Sequence, residues 1–69
     1  MTRLDADAIG KRLRELRGAR SQQEVADATG VSKMAISGYE AGKRIPKDGM
    51  KIALANYYGK TVEEIFFTQ

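Results

Sequence analysis

The hydrophobic residues of this chain recur at helical spacing from one end to the other. They begin with a stripe at i, i+4 and i+7, made of Ile9, Leu13 and Leu16. Asp5 or Asp7 is available as the N-cap, so the pattern predicts a first helix over residues 6–17. No segment sustains an alternation of apolar and polar residues, and we therefore expect an all-α fold.

Capping residues mark three of four further helices. Ser21 and Glu24 have the spacing of a capping box, in which each side chain bonds to the main-chain amide of the other residue. Thr61 and Glu64 repeat that spacing, and Ser32 is a third N-cap. The predicted helices occupy residues 22–29, 33–39, 48–58 and 62–67. The fourth of the five helices is predicted to face the core with Met50, Ile52, Leu54, Ala55 and Tyr57.

The whole chain, residues 1–69, is predicted to form one compact bundle of these five helices. Its second and third helices are separated only by Gly30, Val31 and Ser32. So short a link containing glycine sets two helices at a steep angle, which is the helix-turn-helix arrangement. We therefore expect a helix-turn-helix unit over about residues 22–39.

The third helix is predicted to have an outward face of unusual composition. With Ile36 directed into the core, a rotation of about 100 degrees per residue turns Met34, Ser37 and Gly38 outward, and Lys33 flanks them. An ordinary exposed helix face carries paired acids and bases, whereas this face has no carboxylate and contains a helix-weakening glycine. The pattern indicates that another molecule comes close to this face.

The composition limits the chemistry that so small a domain can perform. Its 69 residues include no cysteine and no histidine, which excludes disulfides and the usual zinc ligands. The usual groups for nucleophilic or acid–base catalysis near neutral pH are absent as well, so we expect no enzyme, no metal and no cofactor. No apolar run reaches about 18 residues and no signal-peptide pattern opens the chain. We therefore expect no membrane association and a cytoplasmic location.

The net charge of +3 is unevenly distributed along the chain. Residues 11–20 carry five cations and one acid, and residues 33–51 carry five cations and two acids. Residues 21–32, between them, hold two acids and no cation. Such asymmetry is typical of a protein with one side facing a polyanion, although ordinary solvated helices can show it too.

These features together resemble the Cro and repressor-type (XRE-like, lambda-repressor-like) helix-turn-helix domains over nearly the whole chain. The matching segments are Ile9-Gly-Lys-Arg-Leu-Arg-Glu-Leu-Arg17, Ser21-Gln-Gln-Glu-Val-Ala26, Gly30-Val-Ser32, Ile36-Ser-Gly-Tyr-Glu40, Gly42-Lys-Arg44 with Pro46, and Ile52-Ala-Leu-Ala55 leading to Val62-Glu-Glu-Ile-Phe66. The family pattern has about two more residues, often Gly-Leu, between Arg17 and Gln22. The turn between the first two helices must therefore be tighter, which leaves the end of helix 1 and the core contact of the family's leucine undetermined.

The resemblance implies that the third helix is a recognition helix, whose first residues meet base edges in the major groove of double-stranded DNA. The implied base contacts are Lys33, Met34, Ser37 and Gly38. The implied phosphate contacts are Gln22, Ser32, Lys43 and Arg44, with Lys47 and Arg3 as secondary candidates. Simple solvation is the alternative for the charged side chains, and filling of the core is the alternative for Met34.

Two further sets of residues have predicted structural roles. Arg17 and Glu40 lie beside the apolar stripes of their helices, and the matching residues of the family often form a partly buried ion pair. The C-terminal aromatic and apolar residues exceed what one small core readily buries, and an exposed apolar patch marks an association surface. The predicted interface of a homodimer comprises Tyr58, Ile65, Phe66 and Phe67.

The sequence therefore predicts a sequence-specific, DNA-binding transcriptional regulator, most simply a repressor at a palindromic operator. The alternative is an antitoxin-type or other protein-interaction module built on the same domain, with a protein partner. RNA binding is disfavoured because the outward face of the third helix lacks the aromatic side chains that stack on unpaired bases.

Overall fold

Four α-helices and a C-terminal π-helical turn make up residues 5–67, the part of the chain that this computed structural model describes. The helices are α1 (Ala6–Arg17), α2 (Gln22–Thr29), α3 (Lys33–Glu40) and α4 (Asp48–Tyr58), and the π-helical turn is Glu63–Phe67. The predicted all-α fold is confirmed, although α3 continues one residue further and the last element is π-helical. No helix among these residues has the length and apolar character needed to cross a membrane.

Side-chain caps begin α1, α2, α3 and the C-terminal turn at the predicted places, whereas α4 begins without one. The Oδ1 atom of Asp5 accepts from the amides of Asp7 and Ala8 at 3.1 and 3.3 Å. Thr61 and Glu64 form a complete capping box, with a Thr61 amide to Glu64 Oε1 distance of 2.8 Å and a Glu64 amide to Thr61 Oγ1 distance of 3.1 Å. These local bonds satisfy amides that the first turn of a helix leaves without partners.

The core lies where α1 packs against α3 and where α2 packs against α3 and α4, with the C-terminal turn closing it beside α1. The buried apolar residues are Ile9, Leu13, Val25, Ala26, Val31, Ala35, Ile36, Tyr39, Leu54, Ala55, Ile65 and Phe66. Val31 occupies the corner between α2 and α3, which fixes the angle of the helix-turn-helix unit.

The predicted inner face of α4 is partly wrong. Leu54 and Ala55 are buried, but Met50 and Ile52 are 40% and 53% exposed. The buried side of α4 instead includes Lys51, which is three residues before Leu54 and four before Ala55. Because successive residues turn by about 100 degrees, Met50 and Ile52 fall on either side of this face.

Lys51 lies beneath the C-terminal turn, with its methylene groups covered and its ammonium group beside aromatic rings. The side chain is mostly covered, and its Nζ lies 5.0 Å from the ring centroid of Phe67 and 6.0 Å from that of Phe66. Asp48 Oδ1 is 3.8 Å away. A lysine can bury its methylene groups while the ammonium group rests on aromatic faces, which explains a cation at a core-facing position.

The short turn between α1 and α2 depends on Gly18 and Arg20. Gly18 has φ 59° and ψ −129°, a conformation that side chains disfavour. The Arg20 guanidinium donates to the carbonyl oxygens of Leu16 at 2.8 Å and Arg17 at 3.1 Å. It also lies 5.2 and 5.4 Å from the ring centroids of two α4 tyrosines, Tyr57 and Tyr58. Arg20 therefore covers the end of α1 in a turn that lacks the family's leucine.

At Gly10, α1 passes very close to the end of α3. A Cβ atom on Gly10 would lie 2.5 Å from the carbonyl oxygen of Tyr39 and 2.6 Å from that of Glu40. Both obstacles are backbone atoms, which cannot rotate away as a flexible side chain can. A residue without a side chain is thus required where these two helices cross.

We expect Gly10→Ala to lower the free energy of unfolding by about 1–3 kcal/mol, because overpacking outweighs the better helix propensity of alanine. Urea unfolding followed by circular dichroism measures the change. The matched control is Gly49→Ala in α4, since a Cβ there meets nothing within 4 Å. Equal stability of the two variants would contradict the proposed close approach.

Candidate nucleic-acid interface

The first five residues of α3 include three predicted base-contacting residues that are exposed to solvent. Ser32 caps the helix by accepting from the Ala35 amide at 3.1 Å. Lys33 and Ser37 are exposed, and Met34 is 80% exposed. So high an exposure excludes the alternative that Met34 fills the core, and it brings an apolar group, a cation and a hydroxyl to one accessible helix surface.

Gly38, the fourth predicted base-contacting residue, is partly exposed and has the side chain of Arg44 beside it. A Cβ atom there would lie 2.9 Å from Cδ and 3.4 Å from Cγ of Arg44. The side chain of Arg44 therefore lies over one side of Gly38, and a base contact at this residue stays a prediction. Because Gly38 has no side chain, the side chain of Arg44 can lie directly against its backbone.

The loop after α3 is joined to the helix by a Schellman motif. The amides of Lys43 and Arg44 lie 3.0 and 3.3 Å from the carbonyl oxygen of Gly38, and the Gly42 amide lies 3.2 Å from that of Tyr39. These bonds satisfy carbonyl groups that the last turn of a helix leaves open. The exposed side chains of Lys43 and Arg44, both predicted phosphate contacts, are thus placed directly beside α3.

A buried carboxylate links three helices behind this surface. Glu40, at the end of α3, is only 5% exposed. Its Oε2 accepts from Arg17 Nε at 2.8 Å, and its Oε1 accepts from Arg17 Nη2 at 2.9 Å and from Gln22 Nε2 at 3.0 Å. The structure thus contains the predicted ion pair, in the two-pronged geometry that guanidinium and carboxylate groups favour.

Gln22 begins α2 and is held by this carboxylate. Its side-chain amide group donates to Glu40, so the predicted phosphate contact is already oriented by a bond within the domain. The hydrogen bond to Glu40 also raises the pKa of Arg17, which keeps that guanidinium charged. Burial raises the pKa of Tyr58, and the negative charge of Glu40 adds to the effect.

All four arginines of the first basic segment, residues 11–20, bond within the domain. Arg14 donates to the carbonyl oxygen of Glu40 at 3.3 Å, and Arg12 donates to the carbonyl oxygen of Ile65. Arg17 and Arg20 make the bonds described above. This cluster of cations was interpreted from sequence as a surface facing a polyanion, whereas its arginines connect α1 to the rest of the domain. Arg12, Arg14 and Arg17 have partners that are distant in sequence, so the charge pattern alone could not distinguish the two roles.

The exposed cations near α3 are the better candidates for DNA contact. They are Lys33, Lys43, Arg44 and Lys47. Lys47 lies at the start of α4 and makes no side-chain cap bond there. Arg3 lies outside the described residues.

The predicted dimer interface needs a correction. Ile65 and Phe66 are 0% and 2% exposed within the single chain, because the C-terminal turn packs them into the core. Of the four predicted interface residues, Tyr58 is half-buried and Phe67 is 44% exposed. Only these two retain surface that a second copy could cover.

Two short helices, α2 and α3, packed together across a three-residue corner, with the first turn of α3 exposed, define a helix-turn-helix protein. The model of the helix-turn-helix family matches residues 11–65, and the chain belongs to this family of DNA-binding transcriptional regulators. The match covers α2 and α3 with their flanking helices, which are the elements that build the candidate interface.

A solved structure shares this arrangement. The crystal structure of the restriction-modification controller protein C.AhdI from Aeromonas hydrophila matches with a TM-score of 0.81 and 33% sequence identity. The match covers 90% of this chain and 97% of that chain. A comparison with curated protein sequences finds no match.

We expect Tyr58→Phe to reduce the loss of stability in alkaline solution. Because the folded pKa of Tyr58 is raised, the unfolded chain releases this proton first, near pH 10. The contribution of this raised pKa to the free energy of unfolding is complete below that pH, and it is lost as the pH rises through the pKa of Tyr58 in the folded protein. Urea unfolding at about pH 9 and about pH 11 measures the difference. An identical alkaline loss in the variant would show that Tyr58 titrates normally.

Proposed function

We propose that the protein is a sequence-specific transcriptional regulator that inserts α3 into the major groove of double-stranded DNA. The observation that carries the proposal is the exposed first turn of α3, where an 80% exposed methionine follows a lysine. An apolar side chain in water has no favourable partner, but it can pack on a thymine methyl group. Lys33 can donate to guanine O6 and N7, and Ser37 can bond to either type of base.

The surroundings of α3 support contacts to the DNA backbone on both sides of the groove. Gln22 and Ser32 stand at the starts of α2 and α3, where main-chain amides and the helix dipole favour a phosphate. Lys43 and Arg44 lie in the loop bonded to the other end of α3. Phosphate contacts would fix the position of the helix, while its first turn reads the bases.

We also propose that the regulator binds as a homodimer to a palindromic operator and represses by occluding a promoter. A twofold dimer presents two recognition helices about 34 Å apart, and the operator then repeats its half-site with the same symmetry. The partly exposed Phe67 and Tyr58 supply apolar surface for the dimer contact. Similarity to a controller protein supports a regulatory role.

Selection from a pool of random duplex DNA tests this proposal. The expected product is an inverted repeat whose half-sites are about 10 base pairs apart, centre to centre, and which binds two protomers in sedimentation equilibrium. An asymmetric motif bound by one protomer would refute the dimer and leave the DNA-binding function standing. Failure to enrich any sequence would refute specific recognition.

Two lysine variants separate reading of bases from contact with phosphate. Lys33→Ala should cost about 1–3 kcal/mol on the selected site and much less on random DNA, because a base contact is lost. Lys43→Ala should weaken both complexes alike. The plot of log K against log salt has a negative slope, and the variant should make it less steep by about one. Fluorescence anisotropy at several salt concentrations measures both. Equal losses on selected and random DNA for Lys33→Ala would assign that lysine to the backbone.

A further inference from the structure

Gly38 lies within α3 on the side that Arg44 crosses. The stem of Arg44 runs over it so closely that a Cβ atom on Gly38 would lie 2.9 Å from Cδ and 3.4 Å from Cγ. Real Cβ atoms essentially never approach another atom to under 3.0 Å, so an alanine here would displace the arginine. Glycine is the residue that leaves this space open.

Three independent contacts hold Arg44 against the recognition helix. Its amide and the preceding amide of Lys43 both donate to the carbonyl oxygen of Gly38. Its stem occupies the space beside Gly38, and its guanidinium carbon lies 5.9 Å from the ring centroid of Tyr39. The backbone, stem and charged group of Arg44 are thus each positioned relative to α3, although the residue as a whole is exposed to solvent.

We propose that Gly38 is a positioning residue, which holds Arg44 alongside α3 so that its guanidinium is oriented for a DNA phosphate before DNA arrives. This inference rests on the proposed DNA-binding function. A long side chain that is ordered in the free protein loses less conformational freedom on binding, so its contact contributes more to affinity. Glycine lowers the stability of a helix relative to alanine. Holding Arg44 in position is the function that would favour a glycine here despite that loss.

The proposal predicts opposite effects of Gly38→Ala on stability and on DNA binding. Stability should stay equal or rise, because alanine favours the helix and the obstructing atoms belong to a side chain that can move away. Affinity for DNA should fall, because Arg44 leaves its position. A residue with a merely structural role would change both quantities in the same direction.

The experiment uses the full chain and a random-sequence duplex of about 30 base pairs, long enough for about three helical turns. The variants are Gly38→Ala, Arg44→Ala, the double variant, and Gly49→Ala as a control whose new Cβ meets nothing within 4 Å. Fluorescence anisotropy across a series of salt concentrations gives affinity and salt slope, and urea unfolding gives stability.

We expect Gly38→Ala to bind DNA about three- to ten-fold more weakly than wild type. The slope of log K against log salt should become less steep by about one. Arg44→Ala should show the same change, Gly49→Ala should bind as wild type, and the double variant should bind no more weakly than Arg44→Ala. If Gly38→Ala keeps the wild-type affinity and slope while Arg44→Ala loses them, the positioning role is refuted.

Two other outcomes would also overturn the inference, and each has a different meaning. If Gly38→Ala weakens binding equally in the Arg44→Ala background, then Gly38 acts by direct contact with DNA, and Arg44 is not involved. If the wild-type chain itself fails to bind duplex DNA, the proposed function fails and this inference fails with it. A normal wild-type complex therefore isolates the test of Gly38.

Discussion

The position of α3 relative to α1 and α2 depends on the carboxylate of Glu40. This single buried group accepts hydrogen bonds from Arg17 at the end of α1 and from Gln22 at the start of α2, while belonging to the end of α3. Removing one partner from a buried ion pair strands the other charge away from water, which is why such a junction resists change. The close passage at Gly10 complements it, because carbonyl groups at the same end of α3 lie directly against α1.

Hydrogen bonds within the domain hold both ends of the candidate interface. Ser32 closes the start of α3, and the bonded loop with Arg44 closes its end. Gln22 is oriented by the same carboxylate that positions the helix. A domain of this size has a small core, and here the ordering of the binding surface and the stability of the fold come from shared contacts.

The helices could be predicted from sequence because their signals are local. Caps such as Asp5 and Thr61 lie within three residues of the amides they bond, and the periodic stripes repeat over short distances. Features that depend on contacts between distant parts of the chain could not be predicted in this way. The burial of Lys51 in preference to Ile52 depends on aromatic rings supplied by the C-terminal turn. The exposure of Lys33, Met34 and Ser37 was predictable from helical angles, whereas the approach of Arg44 to Gly38 depends on the path of the loop.

The domain divides its positive charges between two kinds of side chain. The arginines of α1 and of the following turn donate hydrogen bonds to carbonyl oxygens and to Glu40. Lys33, Lys43 and Lys47 are instead exposed to solvent. A hydrogen bond to a carbonyl oxygen does not cancel the charge of a guanidinium group, so the long-range potential of the domain includes these arginines as well as the exposed lysines. Under the proposed DNA-binding function, both groups of cations would raise the rate of encounter with DNA, and that rate would fall as salt is added.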